Sequence, residues 1–244
     1  MFWRFGGYAN ISTLDTILDK PDVTLEELLD ESDLIQELKQ HNTKLIEYLR
    51  DENVLRRLLE YVVAPQANSD EDEGNPSEDG GAGAGAAHDT VENEKGPKLI
   101  MIEKDMSEEE RDKLEKARLK YSYVATEVLS SETWSILEAL MENQQHLREF
   151  WEFLRRPPPL DNTTAGYFTK INETLLDKKT EEMLEFFRSL DNGVPTMLQH
   201  VDCPVVMDLL LKIISLEKAE GGQGIVDVGS PDEDVYIKGL RKLI

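Results

Sequence analysis

The sequence predicts an all-α protein, built as a solenoid of helix pairs and interrupted by an acidic insertion. Apolar residues recur at steps of three and four through most of the chain, which is the spacing of amphipathic helices. Strand-like alternation is nearly absent, and Lys98–Ile102 is the one β-leaning run. About ten helices joined by short loops can form either a globular bundle or a solenoid.

Start and stop signals bound the predicted helices. Thr24–Glu27 and Ser107–Glu110 are capping boxes, and Ser230-Pro231 combines a cap with proline at the first helical position. Helix-terminating residues follow the apolar stripes at Pro21, Pro65, Pro157-Pro158-Pro159 and Asn192-Gly193.

Between these signals the apolar stripes follow one another in order. They lie within residues 34–49, 54–62, 114–129, 136–140, 147–154, 168–176, 183–187 and 205–214. The stripe at 205–214 is the most apolar, so the sequence predicts a central helix there.

Two features favour a solenoid. From Ser131 onward the helices form pairs of roughly 40 residues, close to the armadillo and HEAT period, although no strict internal repeat is present. A final helix predicted at Asp232–Ile244 runs to the end of the sequence without a cap. A repeat array can be divided in this way because each unit contacts only its neighbours, so we expect a C-terminal truncation.

Residues 66–97 form the acidic insertion. They contain nine Asp and Glu, one Lys and six Gly, with Val91 as the only large aliphatic side chain. Such a segment cannot bury enough apolar surface to offset the entropy lost on ordering, so we predict disorder. It is either a solvated spacer or an acidic recruitment or phosphorylation segment at Ser69 or Ser77. The predicted organisation is helices at 1–65, the insertion at 66–97 and a helical continuation at 98–244.

Composition excludes several functions. Fifty Asp and Glu face 27 Lys and Arg, and a net charge of −23 disfavours nucleic acid and anionic membranes as partners. One cysteine and the absence of a signal segment indicate an intracellular protein. No apolar run is long enough for a membrane helix.

No catalytic constellation is present. Gly80–Gly85 lies in the insertion and not between a strand and a helix, so it is not a phosphate loop. Cys203 is expected to be a buried small hydrophobe, and Asp208 either faces solvent or pairs with a cation. We therefore expect no enzyme, no cofactor and no metal.

Two features are candidate partner-binding sites. An acidic ridge is formed by six carboxylates within twelve residues: Glu26, Glu27, Asp30, Glu31, Asp33 and Glu37. It is either solvated or faces a basic partner. Glu26, Asp30 and Asp33 at helical spacing also offer a weaker cation site. The N-terminal aromatics either plug the first helices or anchor in a partner's pocket. The proposed contact residues are Trp3, Arg4, Phe5, Glu26, Glu27, Asp30 and Glu31.

Ordered blocks along residues 2–216 resemble the SAPS-domain family, the regulatory subunits of protein phosphatase 6 and of its fungal counterpart. The blocks are Phe2–Phe5, Leu18–Lys20, Val23–Glu31, Gln40, Asn42, Lys44-Leu45, Tyr48-Leu49, Lys120-Tyr121, Ala125, Glu127–Leu129, Phe153-Leu154, Pro157–Leu160, Tyr167-Phe168, Lys179–Glu181 and Met207–Leu211. The insertion interrupts the likeness and resembles a fungal, lineage-specific addition.

The resemblance implies an armadillo-like scaffold, cytoplasmic and sometimes nuclear, that binds a serine/threonine phosphatase catalytic subunit. It implies a role in cell-cycle and growth control, without catalysis, and a domain considerably longer than this chain. No family motif assigns the phosphatase contacts to positions. The alternative is an acidic helical adapter or chaperone for basic proteins that acts without a phosphatase.

Overall fold

The computed structural model describes residues 13–64 and 107–219, and these contain twelve α-helices and no strand. A 3₁₀ helix at Glu152–Arg155 follows α8. The helices are α1 Thr13–Leu18, α2 Leu25–Asp30, α3 Leu34–Lys39, α4 Thr43–Leu49, α5 Glu52–Val62, α6 Glu108–Leu129, α7 Trp134–Glu142, α8 Gln144–Trp151, α9 Asn162–Lys178, α10 Thr180–Arg188, α11 Gly193–Leu198 and α12 Pro204–Ala219.

Of the two capping boxes predicted within the described residues, Ser107–Glu110 forms both of its hydrogen bonds, whereas Thr24–Glu27 forms only the bond to the threonine. The Glu27 amide donates to Thr24 Oγ1 at 3.3 Å, at the start of α2. At the start of α6, Glu110 Oε2 accepts from the Ser107 amide at 3.0 Å, and the Glu110 amide donates to Ser107 Oγ at 3.4 Å. The Ser107 amide and hydroxyl both donate to the Glu110 carboxylate and lower its pKa, and both caps satisfy amides that the first turn leaves free.

The stripe predicted over residues 34–49 is divided between α3 and α4. His41 takes a left-handed backbone with φ 59°, and Asn42 caps α4 by accepting from the Leu45 amide at 3.2 Å. The Asn42 amide nitrogen also donates to Asp15 and Glu37, each at 3.0 Å. One asparagine therefore ends one helix, begins the next and attaches both to α1, because its short amide can replace backbone partners.

The described residues divide into two compact units. The first contains residues 13–63 and 121–219, and the second contains Ala64 and residues 107–120. Within the first unit α4 packs against α7, and α5 packs against both α8 and α9. Leucines that face this core from both stretches of chain are fully buried; they include Leu49, Leu55, Leu58, Leu147 and Leu175. Residues on either side of the insertion thus build one hydrophobic core.

The C-terminal half of the first unit is centred on α9. Helix α9 packs against α10 and α12, and α12 also packs against α10 and α11. Trp151 lies among aromatic rings, with the Phe168 and Phe187 centroids at 5.3 and 5.6 Å. The Trp151 indole nitrogen donates to Asn172 Oδ1 at 3.0 Å, and the Asn172 amide donates to the Phe168 carbonyl at 2.8 Å. Both polar groups of this buried cluster are therefore satisfied.

The second unit holds the first half of α6. Arg118 binds Glu115 at 2.7 Å and donates to the Ala64 carbonyl at 3.4 Å. Leu114 was predicted on an apolar face, but 41% of its surface is exposed. The neighbouring residues of this half are mainly charged and exposed, so Leu114 has no apolar stripe to join.

The described residues confirm the prediction of an all-α helical-repeat fold, since helices pack mainly against those close to them in chain order. None of the described helices combines the length and the apolar character that a membrane crossing requires. Four predicted features lie outside the described residues: the N-terminal aromatics, the insertion at 66–97, the run Lys98–Ile102 and the helix at 232–244.

Replacing Asn172 with leucine tests the buried polar cluster. The near-isosteric change leaves the Trp151 indole N–H without an acceptor, and we expect a loss of about 1–3 kcal/mol in the free energy of unfolding. Urea denaturation measures it. Thr174→Ala on the same helix removes a hydrogen bond to the Lys170 carbonyl at an exposed site and should change stability by less than about 0.5 kcal/mol. Equal effects of the two substitutions would contradict the assignment.

Candidate partner-binding surface

The four carboxylates of the acidic ridge that were predicted as contacts lie on α2 and the turn that follows it. Asp33 and Glu37 belong to the start of α3. Apolar Leu25, Leu28 and Leu29 fill the buried face of this short helix, so its carboxylates are directed outward. Glu27 and Asp30 are exposed, whereas Glu26 and Glu31 are half-buried. These four carboxylates therefore differ in how much of each is open to solvent.

Glu26 is held by α5. Its Oε1 accepts hydrogen bonds from the Arg57 guanidinium and from the Tyr61 hydroxyl. Tyr61 is also in edge contact with Tyr121, with ring centroids 5.5 Å apart. Burial, and then the hydrogen bond to Glu26, raises the pKa of the Tyr61 phenol. Glu26 therefore attaches α2 to α5, and little of its charge is available to a partner.

Asp30 and Glu27 have weaker contacts within the chain. The Tyr121 hydroxyl donates to Asp30 Oδ2 at 3.2 Å, and burial, followed by the Asp30 charge, raises the pKa of Tyr121. Lys20 Nζ lies 3.2 Å from Glu27 Oε2, with both side chains more than two-fifths exposed. Such exposed pairs contribute little to stability. Glu27, Asp30 and Glu31 are thus the part of the ridge that a partner could reach.

The predicted face of Glu26, Asp30 and Asp33 is not formed. Helix α2 ends at Asp30, the Glu31 amide bonds back to the Leu28 carbonyl, and Asp33 lies at the start of α3. The helical spacing is therefore lost before the third carboxylate is reached. Among residues 13–64 and 107–219, no three His, Cys, Asp or Glu side chains are grouped as metal ligands would be.

The other residues considered as candidates from the sequence are Cys203, Asp208 and His200. Cys203 is 3% exposed, which confirms its prediction as a buried side chain, and Asp208 is exposed to solvent on α12. His200 is fully buried, and its Nε2 lies 2.7 Å from the Leu154 carbonyl. Trp3, Arg4 and Phe5 lie outside the described residues.

One exposed aromatic was missed by the sequence interpretation. Trp134, the first residue of α7, is 58% exposed, and the Lys179 ammonium lies 3.6 Å from the centre of its ring. The only available signal was a tryptophan directly after the Ser131-Glu132-Thr133 turn, on the polar side of the Ile136, Leu137 and Leu140 stripe. Nothing in that pattern shows that a lysine forty-five residues later lies beneath the ring.

A family model described as SAPS, SIT4 phosphatase-associated protein, matches residues 172–243. The chain is 39% identical over 232 residues to extragenic suppressor of kinetochore protein 1 of Schizosaccharomyces pombe, and this match covers 93% of the chain. It is 40% identical over 120 residues to SIT4-associating protein SAP185 of Saccharomyces cerevisiae, covering 49% of the chain.

A more distant match is to serine/threonine-protein phosphatase 6 regulatory subunit 1 of Homo sapiens, with 28% identity over 236 residues and 93% of the chain. The chain spans less than a quarter of the length of these relatives: 23%, 11% and 21% respectively. No solved structure gives a significant match.

Alkaline unfolding tests the contact between Glu26 and Tyr61. Because the folded-state pKa of Tyr61 is raised above its unfolded value near 10, the stabilisation is complete below about pH 10 and is lost as the pH rises further. Tyr61→Phe should be roughly 1 kcal/mol less stable than the wild type near neutral pH, and its stability should fall less steeply than that of the wild type above about pH 10. Urea midpoints across this range measure the slopes. Tyr123→Phe controls for removal of a phenol elsewhere, and parallel slopes for Tyr61→Phe and wild type would refute the contact.

Proposed function

We propose that this chain, which belongs to the SAPS family, binds a serine/threonine phosphatase catalytic subunit of the SIT4 or phosphatase 6 type. It regulates that subunit without catalysis of its own. The observation that carries the proposal is the 39% identity extending over 93% of the chain, together with relatives named as SIT4-associating proteins and phosphatase 6 regulatory subunits. No step of the proposal needs a cofactor.

The mechanism is positional. A repeat array whose helices share a continuous core is stiff, so it can hold the catalytic subunit and a substrate at a fixed separation. Tethering of this kind raises the effective concentration of substrate at the catalytic site. The substrates belong to cell-cycle and growth control, and the complex acts in the cytoplasm and also in the nucleus.

The proposed contact region joins Trp3, Arg4 and Phe5 to the accessible carboxylates of the ridge. Glu27, Asp30 and Glu31 supply the negative charge that a basic surface of the catalytic subunit would meet. Glu26 belongs to the same region but acts through position, because it is bound to Arg57 and Tyr61.

Reconstitution tests the function. The purified chain and a purified SIT4-type catalytic subunit should elute together from a sizing column as a stoichiometric complex. Fluorescent imaging of the tagged full-length protein tests the location. Separate elution at micromolar concentrations, with retention of basic proteins such as histones that is lost in moderate salt, would favour the acidic adapter instead.

Charge reversal tests the contact region. The triple variant Trp3→Ala, Glu27→Lys, Glu31→Lys should bind the catalytic subunit roughly tenfold or more weakly, with a reduced salt dependence, because an aromatic anchor and two attractive charges are lost. Surface plasmon resonance at two salt concentrations measures both the affinity and its salt dependence. Glu47→Lys, which reverses an exposed charge on α4, is the matched control and should bind as the wild type does. Wild-type affinity of the triple variant would reject the contact region while leaving the scaffold role intact.

A further inference from the structure

The first unit exposes a tryptophan on α7, a helix other than the one that carries the ridge carboxylates. Trp134 is 58% exposed, although the same helix buries Ile136, Leu137 and Leu140 almost completely. Tryptophan is one of the residue types enriched among the side chains that supply most of the energy of protein interfaces.

The Trp134 ring packs against the ammonium group of Lys179. Lys179 is only 6% exposed, and its ammonium lies 3.6 Å from the centre of the Trp134 ring. A cation against the face of an indole is attracted by the ring's quadrupole. Glu182 Oε1 lies 3.6 Å from the same ammonium and holds it in place from the first turn of α10. The indole is therefore preorganised, so little side-chain entropy would be lost when a partner binds it.

The turn before Trp134 is also held in a defined conformation. Glu132 takes a left-handed backbone with φ 59°, which is uncommon for glutamate. Lys178 Nζ lies 2.6 Å from Glu132 Oε2, and Ser131 Oγ donates to Thr133 Oγ1 at 3.0 Å. Non-glycine residues persist in this conformation where the surroundings over-determine them, as they do at binding sites.

Carboxylates outnumber cations among the residues next to Trp134 or Lys179 in the chain. Glu132, Glu138, Glu181 and Glu182 are exposed, as is Lys178; Glu132 pairs with Lys178 and Glu182 with Lys179, while Glu138 lies one helical turn after Trp134 on α7. The charge of Lys179 is covered by the indole. A partner that approaches Trp134 therefore contacts an exposed apolar ring with carboxylates close to it in the chain. A second copy of the chain is a poor occupant, because two chains of net charge −23 repel each other.

We propose that Trp134, held over Lys179, is an anchor that inserts into an apolar pocket rimmed by lysine and arginine on the phosphatase catalytic subunit. This inference rests on the proposed function and adds a contact region separate from the acidic ridge. The carboxylates around Trp134 guide the approach through long-range attraction, and burial of the indole supplies the affinity.

Binding of a purified SIT4-type catalytic subunit to the purified full chain tests the anchor. Trp134→Ala should raise the dissociation constant at least about thirtyfold, mainly because the complex dissociates faster. Glu138→Lys should slow association and flatten its salt dependence with less effect on dissociation. Leu211→Ala, which shortens a side chain that is 61% exposed on α12, is the matched control and should bind as the wild type does.

The outcomes separate the two proposals. If wild type binds and Trp134→Ala binds within about twofold of it, the anchor is rejected and the function stands. If wild type does not bind the catalytic subunit, the function fails and the anchor fails with it. If Trp134→Ala does not fold, Trp134→Phe and Glu138→Lys decide, and wild-type rates for both reject the anchor. A wild-type dimer that Trp134→Phe dissociates would assign the surface to self-association and also reject the proposal.

Discussion

The packing of α5 against α8 and α9 is the constraint on which the first unit depends. Leu55 and Leu58 of α5 have no exposed surface, and α5 packs against two helices that follow the insertion. Complete burial of a leucine contributes about 1.5–3 kcal/mol, so this interface outweighs any exposed ion pair on the unit. Helix α2, which carries the ridge, is in turn attached to α5 through Glu26 and Arg57.

Much of this arrangement could be predicted from the chain itself, because helix periodicity and capping are local. The caps at Thr24 and Ser107 and the buried stripe of α9 needed only a few neighbouring residues. The division of the stripe at Asn42 was harder to predict from the sequence, because the Asn42 side chain donates to Asp15 and Glu37 on two other helices. Leu114 was misplaced because periodicity identifies a possible face but not the surface that would cover it.

The candidate sites illustrate the same boundary between local and tertiary information. An acidic run predicts a negative surface, but it cannot show that Glu26 is taken up by Arg57 and Tyr61 while Glu27 stays exposed. Nor can it show a cation beneath Trp134, since the two residues belong to different helices. Contacts between distant positions decide which charges and rings are available to a partner, and only the folded chain shows those contacts.

The two stretches of the first unit that flank residues 64–120 are joined to each other. Ser122 Oγ donates to the Val62 carbonyl at 3.3 Å, and the rings of Tyr61 and Tyr121 touch. The chain therefore departs and returns at one place. Once two such ends are fixed, doubling the intervening length costs only roughly 0.6 kcal/mol. Evolution can consequently lengthen, shorten or recompose this stretch almost freely, and related scaffolds can acquire different accessory sequences here while keeping an unchanged framework.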